Sequence, residues 1–154
     1  MPIVRRAIPD DAPELVRLRR IMLDATSDQP TPDGPWTADC EKTVAAMLMT
    51  DTRFAMFVID AAEGRLAACS AASYTPRFPT HYSNAPWHGE VHQVVTDPAY
   101  RRLGYARITT QAARDWLAAQ GCASVWLIAT ADGQGLYEEL GFRTIPWPRM
   151  VWRP

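Results

Sequence analysis

In GEVHQVVT, residues 89–96, Glu90 and His92 stand one residue apart. The two-residue period of a strand puts both side chains on one face and Gln93 on the other. A carboxylate beside an imidazole, whose unperturbed pKa is near 6.5, can take up a proton and pass it on. A polar strand end and a hydrogen-bonded core histidine explain the same pair. The next stretch, TDPAYRRLGYAR, residues 96–107, has a different kind of chemistry in it. If a helix opens near Leu103, its first amide N–H groups have no intrahelical partner and the positive end of its dipole lies there, which suits an anion. Gly104 lets phosphates approach the backbone, Ala106 keeps a bulky side chain out of the way, and Arg101 and Arg102 add charge at the rim. A solvated turn is the alternative. The stretch lacks the three glycines of a dinucleotide-binding turn and the Gly-Lys-Ser/Thr of a P-loop.

The elements that must hold these residues can be traced along the chain. Residues 3–7 suit a short strand stopped by Pro9. Asp10 then caps a helix with Leu15, Leu18 and Met22 as its apolar stripe and Arg17, Arg19 and Arg20 largely off it. SDQPTPDGPW, residues 27–36, is a loop, with Trp36 at its edge, and a second helix opens at Thr37 with Cys40, Val44, Met47 and Leu48 on one face. Residues 53–60 and 65–74 form a strand pair across the turn 61–64, and 75–88 reads as a long loop. The strand with Glu90 and His92 follows, then a helix with Ile108, Ala112 and Trp116, closed by Gly121. Residues 124–129 suit a strand, 135–140 a short helix, and 142–145 and 150–152 last strands around Pro146 and Pro148. The strand-helix-strand unit over 89–129 predicts a parallel pair inside an otherwise antiparallel α/β sheet.

Bulk composition narrows the function classes. A chain of 154 residues, 47% hydrophobic and 21% charged, predicts one globular domain over 1–154. The net charge of −1 supplies no basic field for nucleic acid, and no apolar run is long enough for a membrane span. The amino terminus has no apolar signal segment, so a cytoplasmic location is expected. Lys42 is the lone lysine among 16 basic residues, which points to a GC-rich, bacterial genome. Cys40, Cys69 and Cys122 are scattered and odd in number, which predicts free thiols and no metal site.

VTDPAYRRLGYA resembles the acyl-coenzyme A signature of the GCN5-related N-acetyltransferase (GNAT) family, with Arg101, Gly104 and Ala106 at the signature positions. LYEELGF, residues 136–142, is similar to that family's short fourth helix, and IVRRAIPDDAPELVRLR to its first strand and helix. The resemblance spans nearly the whole chain. It implies four helices flanking the mixed sheet, acetyl-CoA as cofactor, and transfer of the acetyl group to an amine by direct attack. It further implies that strands four and five splay apart. The cofactor arm then pairs with strand-four backbone at Val94, Val95 and Thr96, and its phosphates meet Arg101, Arg102, Leu103, Gly104, Tyr105, Ala106 and Arg107. Glu90 falls where several members have a catalytic glutamate, His92 is a second candidate, and Tyr137 takes the place of the acid that protonates the leaving thiolate. Where many members have an asparagine before the fourth helix this chain reads ATADGQG, so that contact is not carried over.

The family uses the region between its first two helices as a substrate wall. Asp28, Asp33 and Asp39 there would favour a cationic amine, although turn-forming and capping aspartates explain them as well. Trp36, Trp87 and Trp147, in loop contexts, are candidates for lining the acceptor pocket. A small-molecule amine is the expected acceptor. A protein amino terminus or side chain, and an acyl-CoA sensor that transfers nothing, are the alternatives; a homodimer is an assembly the family often forms.

Overall fold

The structure, a computed structural model, describes residues 1–154. Along the chain run β1 (Val4–Arg6), α1 (Ala12–Ala25), α2 (Trp36–Thr50), β2 (Phe54–Asp60), β3 (Leu66–Pro76), β4 (Trp87–Thr96), α3 (Tyr105–Ala119), β5 (Cys122–Trp126) and α4 (Ala131–Glu139). The strands lie in the order β1-β2-β3-β4-β5, antiparallel except for the parallel β4–β5 pair. This is the mixed α/β sheet with four helices that the sequence predicts. The crossover demanded of a parallel pair is supplied by α3.

Two uninterrupted apolar or small runs make the centre of the sheet. Phe54 to Ile59 and Leu66 to Ala72 are all buried, because helices cover both faces. On one face Leu15 and Leu18 of α1 pack with Phe54, Met56, Val58 and Val95, and α2 adds Val44, Met47 and Leu48. On the other, Ala113 and Leu117 of α3 pack with Phe57, Ala72 and Val91. The small residues of β3 let α3 come close. Ser70, buried there, donates a 2.8 Å hydrogen bond to the Thr109 hydroxyl, so the polar pair does not stand unsatisfied. Of the cysteines, all free, Cys69 is buried and Cys40 and Cys122 are half-buried.

Several expectations fail. Asp10 does not cap α1: it lies within the 3-10 turn Pro9–Asp11 that precedes the helix, and the N-cap is Asp11, with no side-chain cap hydrogen bond. β5 and α4 begin earlier than predicted, at Cys122 and Ala131. The β3–β4 ladder extends through Thr75↔His88 and Pro76↔Trp87, so the loop between them shrinks and Trp87 and His88 belong to a strand. Pro76 ends β3 at a position where its missing N–H costs no ladder bond. The predicted strands at 142–145 and 150–152 do not form. Pro146, Pro148 and Pro154 remove three donors from this short stretch and lock their own φ angles, and its Ile145, Trp147, Met150 and Trp152 are exposed.

Candidate active site

Glu90 and His92 reach the α1–α2 side of the sheet together. Ser73 pairs across the ladder with Glu90, and Ala71 with His92. The imidazole is fixed by a 3.1 Å hydrogen bond between Nε2 and the Ser73 hydroxyl, and its ring lies 6.2 Å from the Phe54 ring. Burial, and after it the charge of Arg19, holds His92 below its ordinary pKa. Burial pushes the Glu90 carboxyl up against a smaller opposing pull from Arg149. Both side chains are thus displaced toward their uncharged forms, which brings an acid and a base closer in proton affinity.

Immediately beyond His92 the strand changes character. Gln93 has φ 51°, in the left-handed region that non-glycine residues rarely enter, and the β3–β4 register shifts between Cys69 and Ala71. The extra residue makes a β-bulge. Even-numbered side chains face α1 before it, and Val95 does so after it. On its other edge β4 pairs with β5 only from Trp87 to Glu90. From Val91 onward that edge has no strand partner, so β4 and β5 splay apart just past the Glu90 carboxylate.

The splay opens a cleft. A cavity of about 250 Å³ is lined by Val94, Val95, Thr96 and Arg101 on the β4 side, by Ile21, Met22, Ala25 and Thr26 at the end of α1, and by Thr130 and Asp132 at the start of α4. The Thr96 hydroxyl oxygen is sealed from solvent and has no protein partner. Beyond Arg101 the chain curls through two left-handed residues, Arg102 (φ 65°) and Gly104 (φ 79°), into α3. No side chain caps that helix. A Cβ placed on Gly104 would meet no protein atom within 4 Å, so the backbone there faces open space and glycine is required by its φ, not by crowding.

This cleft fits the cofactor the resemblance implies. An orphaned hydroxyl, an open strand edge and an uncapped helix start lie in sequence along one path, complementary to a polar arm that ends in phosphates. Val94, Val95, Thr96 and Arg101 share the cavity wall, and Arg102 through Arg107 continue from it. Arg107 forms an ion pair with Glu139, and Arg114 donates to the Leu140 carbonyl at 2.7 Å, which ties α3 to the end of α4.

Tyr137 lies on α4, the helix whose first residues close the cavity, with its ring edge-on to Phe142 at 6.2 Å. A Cβ on Gly133 would come within 3.1 Å of that ring. Burial pushes the phenol up, so it keeps its proton at neutral pH. The loop residues are placed less centrally. Trp36 donates to the Pro32 carbonyl and has Arg20 over its ring at 5.7 Å, while Asp33 is paired with Arg20 at 2.6 Å. Trp87 packs edge-on to Tyr74 at 5.1 Å, on the α3 face of the sheet, away from Glu90 and His92. The residues that sequence reasoning missed are Ser73, Thr96 as an orphaned hydroxyl, and the Arg17–Asp97 pair described below. Ser73 lies 19 residues from His92, and only strand pairing brings them together.

Known proteins share this architecture. A predicted acetyltransferase from Clostridium acetobutylicum, solved with acetyl-CoA, superposes with a TM-score of 0.79 at 18% identity, over 98% of this chain and 96% of that one. A GCN5-related N-acetyltransferase from Ralstonia eutropha JMP134 gives 0.77 at 20% identity over 99% of each chain. Glucosamine-6-phosphate N-acetyltransferase from Arabidopsis thaliana gives 0.76 at 16%, covering 99% and 98%. At such identities these likenesses establish the fold. No curated protein matches the sequence. The profile of the acetyltransferase (GNAT) family matches residues 13–142, most of the chain and all of the elements around the cleft. The chain therefore belongs to the GNAT family of acetyltransferases, enzymes that use acetyl-CoA.

Proposed function

We propose that the protein moves the acetyl group of acetyl-CoA to a primary amine of a small molecule by direct attack, with no acyl-enzyme intermediate. The observation that carries this reading is the end of β4–β5 pairing at Glu90. The open edge begins beside a carboxylate and an imidazole and leads straight to the cleft at Val94–Thr96.

Bound acetyl-CoA supplies a thioester whose carbonyl carbon accepts the amine. The backbone of Val94 to Thr96 aligns the pantetheine arm along the open edge, and the Thr96 hydroxyl gains there the partner it lacks in the protein. The first amides of α3, with Arg101 and Arg102 at the rim, hold the phosphates. Glu90 and His92 receive the proton of the incoming ammonium. Neutral at pH 7, His92 has a lone pair for this, and the Ser73 hydroxyl at Nε2 holds the ring in place. Tyr137 retains a proton that it can give to the departing sulfur.

A thiol-release assay over a broad panel of small amines, with products weighed by mass spectrometry, tests the reading. Acetylated amine and free coenzyme A in equal amounts are expected. Cofactor binding without release above the hydrolysis rate would make the protein an acyl-CoA sensor instead.

A further inference from the structure

Half-buried arginines in this chain have partners, with one exception. Arg5, Arg17, Arg20, Arg107 and Arg114 each reach a carboxylate, and Arg77 donates to the carbonyl of Ala85. Arg19 is equally half-buried and has neither an ion pair nor a hydrogen bond. It also departs from the position the helical pattern predicts for it. It stands one turn after Leu15 and one turn before Met22, at the border of the α1 stripe that packs on the sheet. Its charge is felt at His92. None of its nitrogens is sealed from solvent, so the guanidinium is open to a ligand, on the helix whose Leu15 packs in one cluster with Phe54, the ring beside His92.

The nearby acids do not neutralise it. Asp33 is taken by Arg20, Asp24 accepts from the Thr31 amide, and the cation that acts on Glu90 is Arg149. A partly desolvated cation without a counterion is unfavourable by itself and becomes favourable once an anion arrives. The planar fork of a guanidinium matches two oxygens of a carboxylate or a phosphate.

We propose that Arg19 holds an anionic group of the acceptor, so that the amine this protein acetylates has a carboxylate or phosphate in the same small molecule. The proposal rests on the reading of Glu90 and His92 as the proton acceptors of that amine. Arg19 is then a specificity determinant: it selects the acceptor and takes no part in proton transfer.

Paired probes test it. Amino acids are set against their carboxamides, and amino-sugar phosphates against the free amino sugars, in calorimetric titrations of the protein saturated with coenzyme A. At least one anionic amine is expected to bind about ten- to a hundredfold more tightly than its neutral partner, the range of a charged hydrogen-bonded contact. Which series shows the gap identifies carboxylate or phosphate. Arg19→Gln should close the gap to within about threefold while coenzyme A affinity and the thermal midpoint hold, and Arg19→Lys should fall between, because it keeps the charge and loses the fork. Equal binding of both members of every pair, no binding by any probe, or a preference that survives Arg19→Gln overturns the proposal. Binding does not depend on turnover. An anion preference without acetylation overturns the transferase reading and leaves Arg19 as an anion site without a reaction, whereas acetylation of charged and neutral amines at equal rates overturns the role of Arg19 alone.

Discussion

Arg17 Nη1 donates a 2.7 Å hydrogen bond to one carboxylate oxygen of Asp97, while the other oxygen accepts from the Ala99 amide at 3.0 Å. The same guanidinium binds Glu14 and the Leu66 carbonyl, and Glu14 in turn accepts from the Leu66 amide at 2.9 Å. One buried carboxylate thereby joins α1, the start of β3 and the end of β4. It also fixes the residue from which the PAYRRLG loop departs.

Asp97→Asn should cost about 1.5–3 kcal/mol in urea unfolding at pH 7, since the Ala99 contact survives and Arg17 keeps Glu14 but loses its charged hydrogen bond to Asp97. Burial raises the Asp97 carboxyl, yet the Ala99 amide and Arg17 outweigh it and the net direction is down. Glu14 and Asp11 are lowered in the same manner, against burial, by Arg17 and by Arg5. Their stabilisation is in full force above the ordinary carboxylate pKa of about 4 and is lost as pH falls through the lowered folded values. The penalty of Asp97→Asn should therefore shrink in acid, and a penalty independent of pH would place the effect elsewhere.

Gly104→Ala separates stability from cofactor affinity. With φ at 79° and open space around the new methyl group, unfolding should be easier by about 1 kcal/mol, from backbone strain alone. Acetyl-CoA affinity should drop further, by about tenfold or more, because the methyl group projects where phosphate must approach. Calorimetry alongside urea titration reads both. Unchanged affinity would remove α3 from the phosphate site.

For Tyr137→Phe the expected signature is a fall in kcat of about tenfold to a hundredfold, with acetyl-CoA affinity retained. A phenol held above its ordinary pKa by burial remains protonated through pH 9. A variant with full activity would exclude Tyr137 as the proton donor.

Glu90→Gln should lower kcat/KM by about a hundredfold or more. In the unaltered protein the carboxyl is raised by burial, so activity should decline as pH falls through a value above the usual carboxylate range. The variant should lack that limb. If the acid limb persists in Glu90→Gln and vanishes in His92→Gln, the imidazole is the group that titrates.

The sequence made some features readable because they are local. A helix start near Leu103 follows from Gly104 and the arginines before it, two residues ahead of where α3 opens at Tyr105, and the shared face of Glu90 and His92 follows from strand period. Other features depend on partners far along the chain. Arg17 and Asp97 lie 80 residues apart, and neither position advertises the other. Arg19 reads from the helical pattern as an outward charge, and only the packing of α1 over the sheet shows it half-buried. Trp87 and His88 look like loop residues beside so many prolines, yet pairing with Pro76 and Thr75 draws them into β4. At the carboxyl end alternating apolar residues imitate strands, but the prolines among them forbid a ladder.

The single surplus residue at Gln93 lets one continuous strand serve two masters. In the proposed reaction it aims reactive side chains at an acceptor upstream and offers bare main chain to a donor downstream, with both halves kept flush against the same hydrophobic bed. Excising Gln93 would shift the phase of everything after it by one. Val95 would swing out of the bed beneath α1, and the seam between donor and acceptor would lose its alignment although no reactive group had been touched.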